Sequence, residues 1–85
     1  MEIEYTFQAN EDLAYWKKTN NRKVLKRIRA LIESLLENTF EGIGKPEPLK
    51  HDLSGCWSRR IDREHRIVYS IDGNTVEILS LRGHY

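Results

Sequence analysis

Apolar and polar residues recur along the chain with two different periods, and each period predicts a type of element. Over the first seven residues they alternate, with Ile3, Tyr5 and Phe7 on one side, which predicts a short strand. From Arg22 onward the apolar positions recur every three or four residues, which predicts a helix of about four turns. These positions are Val24, Leu25, Ile28, Leu31, Ile32, Leu35 and Leu36.

A shorter helix is predicted between these two elements. Asn10 is followed by two acidic residues, and an Asn cap with negative charge in the first turn favours a helix start at this point. Leu13 and Trp16 lie on one face of this helix. The Thr-Asn-Asn run at residues 19–21 ends the helix and supplies an Asn cap for the next one. The short connection predicts a helical hairpin.

The second half of the chain predicts a sheet after an irregular segment. Residues 38–49 contain glycines and prolines that neither a helix nor a central strand accommodates. Strands are predicted at Trp57–Ile61, Arg66–Ile71 and Thr75–Leu81, and residues 72–74, Asp-Gly-Asn, predict a hairpin turn between the last two. The order of strand, two-helix hairpin and antiparallel sheet predicts an α+β fold with the helices packed on one sheet face.

Length and composition narrow the class of protein. With 85 residues, we expect a single domain over residues 1–85. No apolar run reaches the length of a membrane span, and the N-terminus lacks the pattern of a secretory signal, so no membrane partner is expected. The single cysteine, Cys56, excludes an internal disulfide and is typical of a protein of the reducing cytosol.

The formal net charge of +1 hides a strongly basic segment. Residues 17–29 contain seven Lys or Arg and no acid, and residues 45–66 also contain more bases than acids. Such segments favour a polyanionic partner, although basic residues also form the solvated face of many amphipathic helices. On the longer predicted helix the basic residues are Arg22, Lys23, Lys26, Arg27 and Arg29.

Residues suited to cleavage of an RNA phosphodiester lie outside the predicted helices. Attack by the 2′-OH of the RNA needs a base, an acid and fixed cations around the phosphate. Glu47 stands between two prolines that fix its backbone. His84 offers an imidazole that titrates near neutral pH, and Tyr85 could stack on a base. Four arginines flank a predicted strand–turn–strand, where alternate members share a face: Arg59, Arg60, Arg63 and Arg66.

Each of these residues also has a plainer explanation. Glu47 can be a surface acid in a rigid loop, the arginines can be solvated charges at a sheet edge, and a terminal histidine such as His84 often has no role. No spacing typical of a metal site or of a nucleotide-phosphate loop is present, so we expect neither a metal nor another cofactor.

Three segments of the chain together form a recognisable pattern. They are residues 40–61, FEGIGKPEPLKHDLSGCWSRRI, residues 64–69, EHRIVY, and the final His84-Tyr85 pair. This pattern resembles the signature of the YoeB/Txe family of bacterial toxins, which belongs to the RelE superfamily. The resemblance implies a compact α+β fold similar to that of microbial ribonucleases. It also implies a ribosome-dependent endoribonuclease that cleaves mRNA in the A site without a metal and so inhibits translation.

The resemblance gives each candidate residue a role. Glu47 would be the general base on the 2′-OH, His84 the general acid at the leaving 5′-oxygen, and Arg66 the group that stabilises the pentacoordinate phosphate. From their charge, we also expect the basic residues of the longer helix to dock on ribosomal RNA. The supporting residues would be Lys50, Arg60 and Arg59 for phosphate and Tyr85 for the nucleotide or the leaving group.

Partners follow from the resemblance in the same way. We expect a cognate acidic antitoxin of the YefM/Axe kind, the ribosome and its mRNA, and operator DNA through the antitoxin complex, in the cytoplasm. A homodimer is also expected, with Tyr15 and Trp16 either in its interface or in the core. Two other functions stay open: a non-catalytic toxin of the same superfamily that acts on DNA gyrase, and a plain RNA-binding module.

Overall fold

A five-stranded sheet with two helices on one face forms the fold, which confirms the predicted α+β class. The computed structural model describes residues 1–83. The elements in chain order are β1 (Glu2–Tyr5), α1 (Phe7–Lys18), α2 (Arg22–Glu37), β2 (Glu47–Pro48), β3 (Cys56–Arg60), β4 (Arg66–Asp72) and β5 (Thr75–Ser80). A short 3-10 turn at His51–Leu53 lies between β2 and β3.

The sheet is mixed, with the strand order β1-β5-β4-β3-β2. Strands β3, β4 and β5 pair antiparallel in chain order, as predicted, and the Gly73 turn joins β4 to β5. The two-residue strand β2, which lies in the segment predicted to be irregular, pairs antiparallel with β3 at the edge of the sheet. The first strand pairs with β5 in parallel, which the sequence pattern does not specify. A parallel pair needs a long crossover connection. The helical hairpin begins that connection, and its position over the sheet follows from it.

The core lies between the sheet and the apolar stripe of α2. Its buried residues Val24, Ile28, Leu31 and Leu35 follow the predicted helical period. They form one cluster with buried residues from α1, β4 and β5 and with Ile61 and Leu81, which directly follow β3 and β5. Among residues 1–83, neither α1 nor α2 combines the length and the hydropathy of a membrane-spanning helix.

The start of α1 differs from the prediction at Asn10. The helix begins at Phe7, because the Thr6 hydroxyl caps it by accepting from the Ala9 N–H at 3.1 Å and also donates to the Leu79 carbonyl at 2.9 Å. The strand therefore ends before Phe7, whose side chain is exposed. By contrast, Asn21 caps α2 as predicted, with its side chain accepting from the Val24 N–H.

Aromatic residues 15 and 16 have different environments. Trp16 is buried, and its indole N–H donates to the Leu81 carbonyl at 2.9 Å, so it belongs to the core. Tyr15 is exposed, and the Arg82 guanidinium lies 3.6 Å from its ring centroid. Of the two aromatics, Tyr15 alone is available at the surface for contact with another chain.

Candidate active site

Two arginines lie side by side on the sheet face away from the helices. Arg59 and Ile67 are register partners on β3 and β4, and both are fully buried on the helix-covered side. Because successive side chains of a strand point to opposite faces, the next pair, Arg60 and Arg66, lies on the open face. Arg60 is exposed and Arg66 is half-buried.

The pairing of Arg60 with Arg66 is unfavourable for the sheet itself. Like charges directly opposite one another on neighbouring strands destabilise the pair. Within residues 1–83, neither guanidinium forms an ion pair with a carboxylate. Two guanidinium groups without an anionic partner are suited to a phosphate, which they can contact with two parallel hydrogen bonds each.

Glu47 lies on the same open face, on the edge strand β2. Its register partner on β3 is Ser58, which is two residues before Arg60 and so shares its face. Diagonal neighbours of this kind have Cα atoms roughly 7–8 Å apart, within reach of long side chains. Between Glu47 and the arginines lies a floor of two buried residues, Ser58 and Val68. The site therefore has an acid, Glu47, on its edge strand and two cations, Arg60 and Arg66, on the next two strands, with Ser58 and Val68 between them.

The end of the described chain reaches the same corner of the sheet. The Arg66 N–H donates to the Gly83 carbonyl at 2.9 Å, and the Gly83 N–H donates to His65 Nδ1 at 3.0 Å. Gly83 directly precedes His84, and both His84 and Tyr85 lie outside the described residues. The structure thus brings together Glu47, Arg60, Arg66 and the residue that leads to His84.

Lys50 and the segment around it form the outer rim. Lys50 is exposed and directly precedes the 3-10 turn, and the Leu49 N–H before it still bonds to the Cys56 carbonyl of β3. Lys50 therefore follows a residue that is held against β3, and it lies three residues after Glu47 in the chain. Its ammonium adds positive charge to this edge of the sheet.

Arg59 is a correction to the sequence analysis, which predicted a phosphate contact. Its side chain is fully buried, and its Nε, Nη1 and Nη2 groups donate to five acceptors, which match the five N–H donors of a guanidinium. Arg59 therefore has no donor left for a substrate and acts as a structural residue. The acceptors are the carbonyl oxygens of Asn38 (2.7 Å), Glu41 (3.0 Å) and Ile43 (3.3 Å) and the hydroxyls of Ser34 (2.9 Å) and Tyr69 (3.1 Å).

The glycine-containing loop before β2 is packed closely against α2 and β3, and the contacts of Arg59 are part of this packing. Gly44 has a φ of +86°, and an ideal Cβ there would lie 2.5 Å from Leu31 Cδ2, so a side chain would not fit. Burial raises the pKa of Tyr69, although the hydrogen bond from Arg59 opposes this, so the hydroxyl stays protonated and donates to the Thr39 carbonyl at 2.8 Å. The loop is therefore held against α2 and β3 at several points, and β2 follows directly from it.

The basic residues of α2 do not form one face. Arg22, Lys23, Lys26 and Arg29 are exposed, whereas Arg27 is half-buried and donates to the Arg60 carbonyl at 3.4 Å. Lys23 and Arg27 line a groove of about 570 Å³ beside the β3–β4 turn. Arg22 and Arg29 line another, of about 780 Å³, beside α1 and β1, and Lys26 borders both grooves.

Comparison with known proteins identifies the family. The family model described as YoeB-like toxin of bacterial type II toxin-antitoxin system matches residues 5–85. The chain belongs to the YoeB-like toxin family. A Toxin YoeB from Synechocystis sp. is 49% identical over 85 residues, which cover 100% of this chain and 98% of that protein.

Solved structures agree with this family and with the fold. A YoeB/ParE toxin from Agrobacterium tumefaciens is 39% identical, with a TM-score of 0.94 and full coverage of both chains. A structure described as a YoeB-YefM complex from Staphylococcus aureus gives a TM-score of 0.89 at 46% identity, over 100% of this chain and 98% of that one.

Two further groups on this YoeB-like toxin bear on its chemistry. Burial, and then the negative charge of Glu77, raise the pKa of the Cys56 thiol, so Cys56 stays protonated and is a poor nucleophile.

Within residues 1–83, no group of three His, Cys, Asp or Glu side chains could hold a metal ion. No local pattern in the sequence indicates a role for His65, because its contact with Gly83 spans 18 positions.

Proposed function

We propose that this toxin is an mRNA endoribonuclease that acts on the ribosome and cleaves the message in the A site without a metal. The observation that carries the proposal is the Arg60–Arg66 pair, which has no ion-pair partner within residues 1–83 and lies on the same sheet face as Glu47. Gly83, the residue before His84, is hydrogen-bonded to the Arg66 backbone. This arrangement supplies a base, two phosphate-binding cations and the start of the segment that carries an acid.

The reaction is an internal displacement at phosphorus. The Glu47 carboxylate takes the proton of the 2′-OH, whose oxygen then attacks the adjacent phosphorus. Arg66, supported by Arg60 and Lys50, stabilises the negative charge of the pentacoordinate phosphate. His84 donates a proton to the leaving 5′-oxygen, and Tyr85 positions the nucleotide. The bond from phosphorus to the 5′-oxygen breaks, which leaves a 2′,3′-cyclic phosphate and a free 5′-OH.

The exposure of Glu47 supports a need for the ribosome. An exposed carboxylate on a two-residue edge strand holds no substrate in place by itself. The ribosome would hold the A-site codon in line for attack, and such positioning contributes a large part of many rate enhancements. The basic residues of α2 would dock on ribosomal RNA through its phosphates.

Free RNA should therefore be cleaved much more slowly than a translated message. We expect the rate on naked RNA of the same sequence to be lower by about 100-fold or more, because the in-line geometry is absent. The measurement is mapping of new 5′ ends in a purified translation system, with and without ribosomes, at equal toxin concentration. Equal rates in the two reactions would contradict the ribosome-dependent mechanism.

Ribosome binding should depend on salt through α2. In the double variant Lys23→Gln with Lys26→Gln, we expect the slope of log affinity against log salt to fall by about two, since each lost phosphate contact removes about one unit. The control is Lys17→Gln with Lys18→Gln, an equal loss of charge at the end of α1. If both pairs change the slope equally, α2 is not the docking surface.

Structures of related toxins suggest which partners this chain binds. Structures from Staphylococcus aureus are described as a YoeB-YefM complex and as a YoeB dimer. We propose a cognate acidic antitoxin of the YefM kind for this chain, which would cover the basic grooves of α2 and the site arginines and fold as it binds. The complex would repress its own operon through operator DNA. Self-association of the toxin, with Tyr15 in the interface, and action in the cytoplasm complete the proposal.

A further inference from the structure

The chain end that leads to His84 is fixed by three side chains from outside β5. The Trp16 indole N–H donates to the Leu81 carbonyl, and the buried Asp12 carboxylate accepts from the Leu81 N–H, both at 2.9 Å. Two residues further on, the Gly83 N–H donates to His65 Nδ1 at 3.0 Å. Among the described residues, this last contact is the side-chain hydrogen bond nearest to His84.

Gly83 adopts a backbone conformation that needs to be held. Its φ is +90°, and an added Cβ would have no heavy atom within 4 Å, so packing does not impose this conformation. Glycine is also the residue that loses most conformational freedom when it is ordered. Within residues 1–83, two hydrogen bonds define its orientation: the one to His65 Nδ1 and the one from the Arg66 N–H to the Gly83 carbonyl.

His65 is well placed to act as a fixed acceptor. Its side chain is only 16% exposed, and its ring lies edge-on to the Trp16 ring with 4.8 Å between centroids. Its backbone is also fixed, because its carbonyl accepts from the Ile61 and Asp62 N–H groups and its N–H donates to Asp62 Oδ1.

The contacts of the ring define its protonation state. A nitrogen that accepts from the Gly83 N–H carries no proton, so the imidazole is neutral with its hydrogen on Nε2. His65 Nε2 lies 3.4 Å from the Glu64 carboxylate oxygen Oε2. Protonation of Nδ1 would place a second N–H donor opposite the Gly83 N–H, and the hydrogen bond between His65 and Gly83 would be lost.

We propose that His65 is a positioning residue whose unprotonated Nδ1 holds Gly83, and through it the peptide that enters the His84-Tyr85 pair, at the Arg66 corner of the site. Its protonation releases this hold, so acidification loosens the chain end before the general acid. The inference rests on the proposed nuclease function for its effect on cleavage, whereas its effect on Gly83 does not depend on any activity.

Groups from several elements face His65. The carboxylates of Glu64 and Asp62 lie on its own turn. Lys23 of α2 lies near Asp62, α1 contributes the uncharged Trp16, and β4 contributes the backbone of Arg66.

Two variants separate the acceptor from the ring. In His65→Asn, the side-chain oxygen takes the place of Nδ1 and cannot be protonated in the working range. In His65→Phe, the ring stays against Trp16 but the acceptor is lost. We expect the Gly83 amide, observed by NMR in the full chain, to keep its protection from hydrogen exchange in His65→Asn and to lose about tenfold in His65→Phe, as for one lost hydrogen bond.

The pH dependence gives a second, independent readout. In the native chain the Gly83 amide signal should titrate together with the His65 ring, and in His65→Asn it should not. Equal protection in native and His65→Phe proteins, or a Gly83 signal that ignores the His65 titration, would overturn the proposal. Both measurements stand whether or not the chain cleaves RNA.

Cleavage then connects the contact to the proposed reaction. On ribosomes, His65→Phe should lower the turnover rate about tenfold with little change in KM, and His65→Asn should restore it to within about twofold. The acid limb of the rate profile should lie at lower pH in His65→Asn than in the native chain. If the native chain is inactive while the Gly83 results hold, the nuclease proposal fails and the positioning contact stands. If the native chain is active and both variants cleave at its rate, the positioning role is overturned.

Discussion

Replacing Glu47 with Gln should lower the rate of message cleavage on the ribosome by about 10²–10⁴-fold, the usual contribution of a general base. The substitution keeps the shape of the side chain and removes its ability to take the 2′-OH proton. Because Glu47 is exposed on a two-residue edge strand, we expect the free energy of unfolding to change by less than about 0.5 kcal/mol. His84→Ala should cause a loss of similar size, since it removes the proton donor to the leaving oxygen.

The measurement is mapping of mRNA 5′ ends in translation reactions with the native protein and with each variant. Glu77→Gln is the matched control, because Glu77 is also exposed and, as the register partner of Ser70, lies on the same open face of the sheet, with two strands between it and β2. It should leave the rate within about twofold.

Cell killing by these variants distinguishes the proposed enzyme from a toxin that acts through protein contacts. A double variant with Glu47→Ala and His84→Ala should no longer inhibit growth. If growth inhibition persists at equal protein levels while cleavage is lost, the activity lies elsewhere, as for a gyrase-directed toxin. If instead the native chain binds RNA and never cleaves a translated message, the chain is a binding module.

Replacing Arg59 with Gln should destabilise the fold by about 3–5 kcal/mol, because it strands several buried acceptors at once. Three of the five acceptors of Arg59 are backbone carbonyls of the loop before β2, and the shorter amide reaches few of them. Arg59→Lys should also destabilise strongly, since an ammonium has three donors and no planar fork.

Urea denaturation followed by tryptophan fluorescence measures this change. Arg60→Gln is the control on the adjacent residue, whose side chain lies on the open face, and it should change the free energy of unfolding by less than about 0.5 kcal/mol. Arg60→Gln should instead weaken cleavage, through loss of a phosphate contact. Equal stability of the two variants would contradict the structural role of Arg59.

The contrast between Arg59 and Arg60 shows what a single sequence can predict about the site. Four arginines around one strand–turn–strand indicated that some of them share a face. Alternation along a strand separates neighbours but does not say which neighbour faces the core. An arginine is seldom fully buried, so the sequence pattern favours the solvent-facing side for Arg59 rather than the core. The acceptors that make its burial favourable come from α2, the following loop and β4.

The N-terminus of α1 is a second example, in which a good local signal was overridden. Asn10 and its acidic neighbours fit a helix start, but the capping residue is Thr6. Asp12, which the prediction placed in the first turn of the helix, is buried and accepts from the Leu81 N–H and from the Gln8 side chain. A contact across 69 positions thus decides the position of the residue that looked like part of a cap.

By itself, the sequence determined the class of fold, the extent of α2 and the strands β3 to β5, because periodic burial and turn residues are local properties that tertiary packing then reinforces. It also named the acid, the imidazole and the cations that the proposed reaction uses. Only the tertiary structure decided the parallel pairing of β1, the burial of Arg59 and the facing of Arg60 with Arg66. It also decided the hold of His65 on Gly83. These features depend on contacts between residues that are distant in the chain, and such contacts leave no periodic pattern in the sequence.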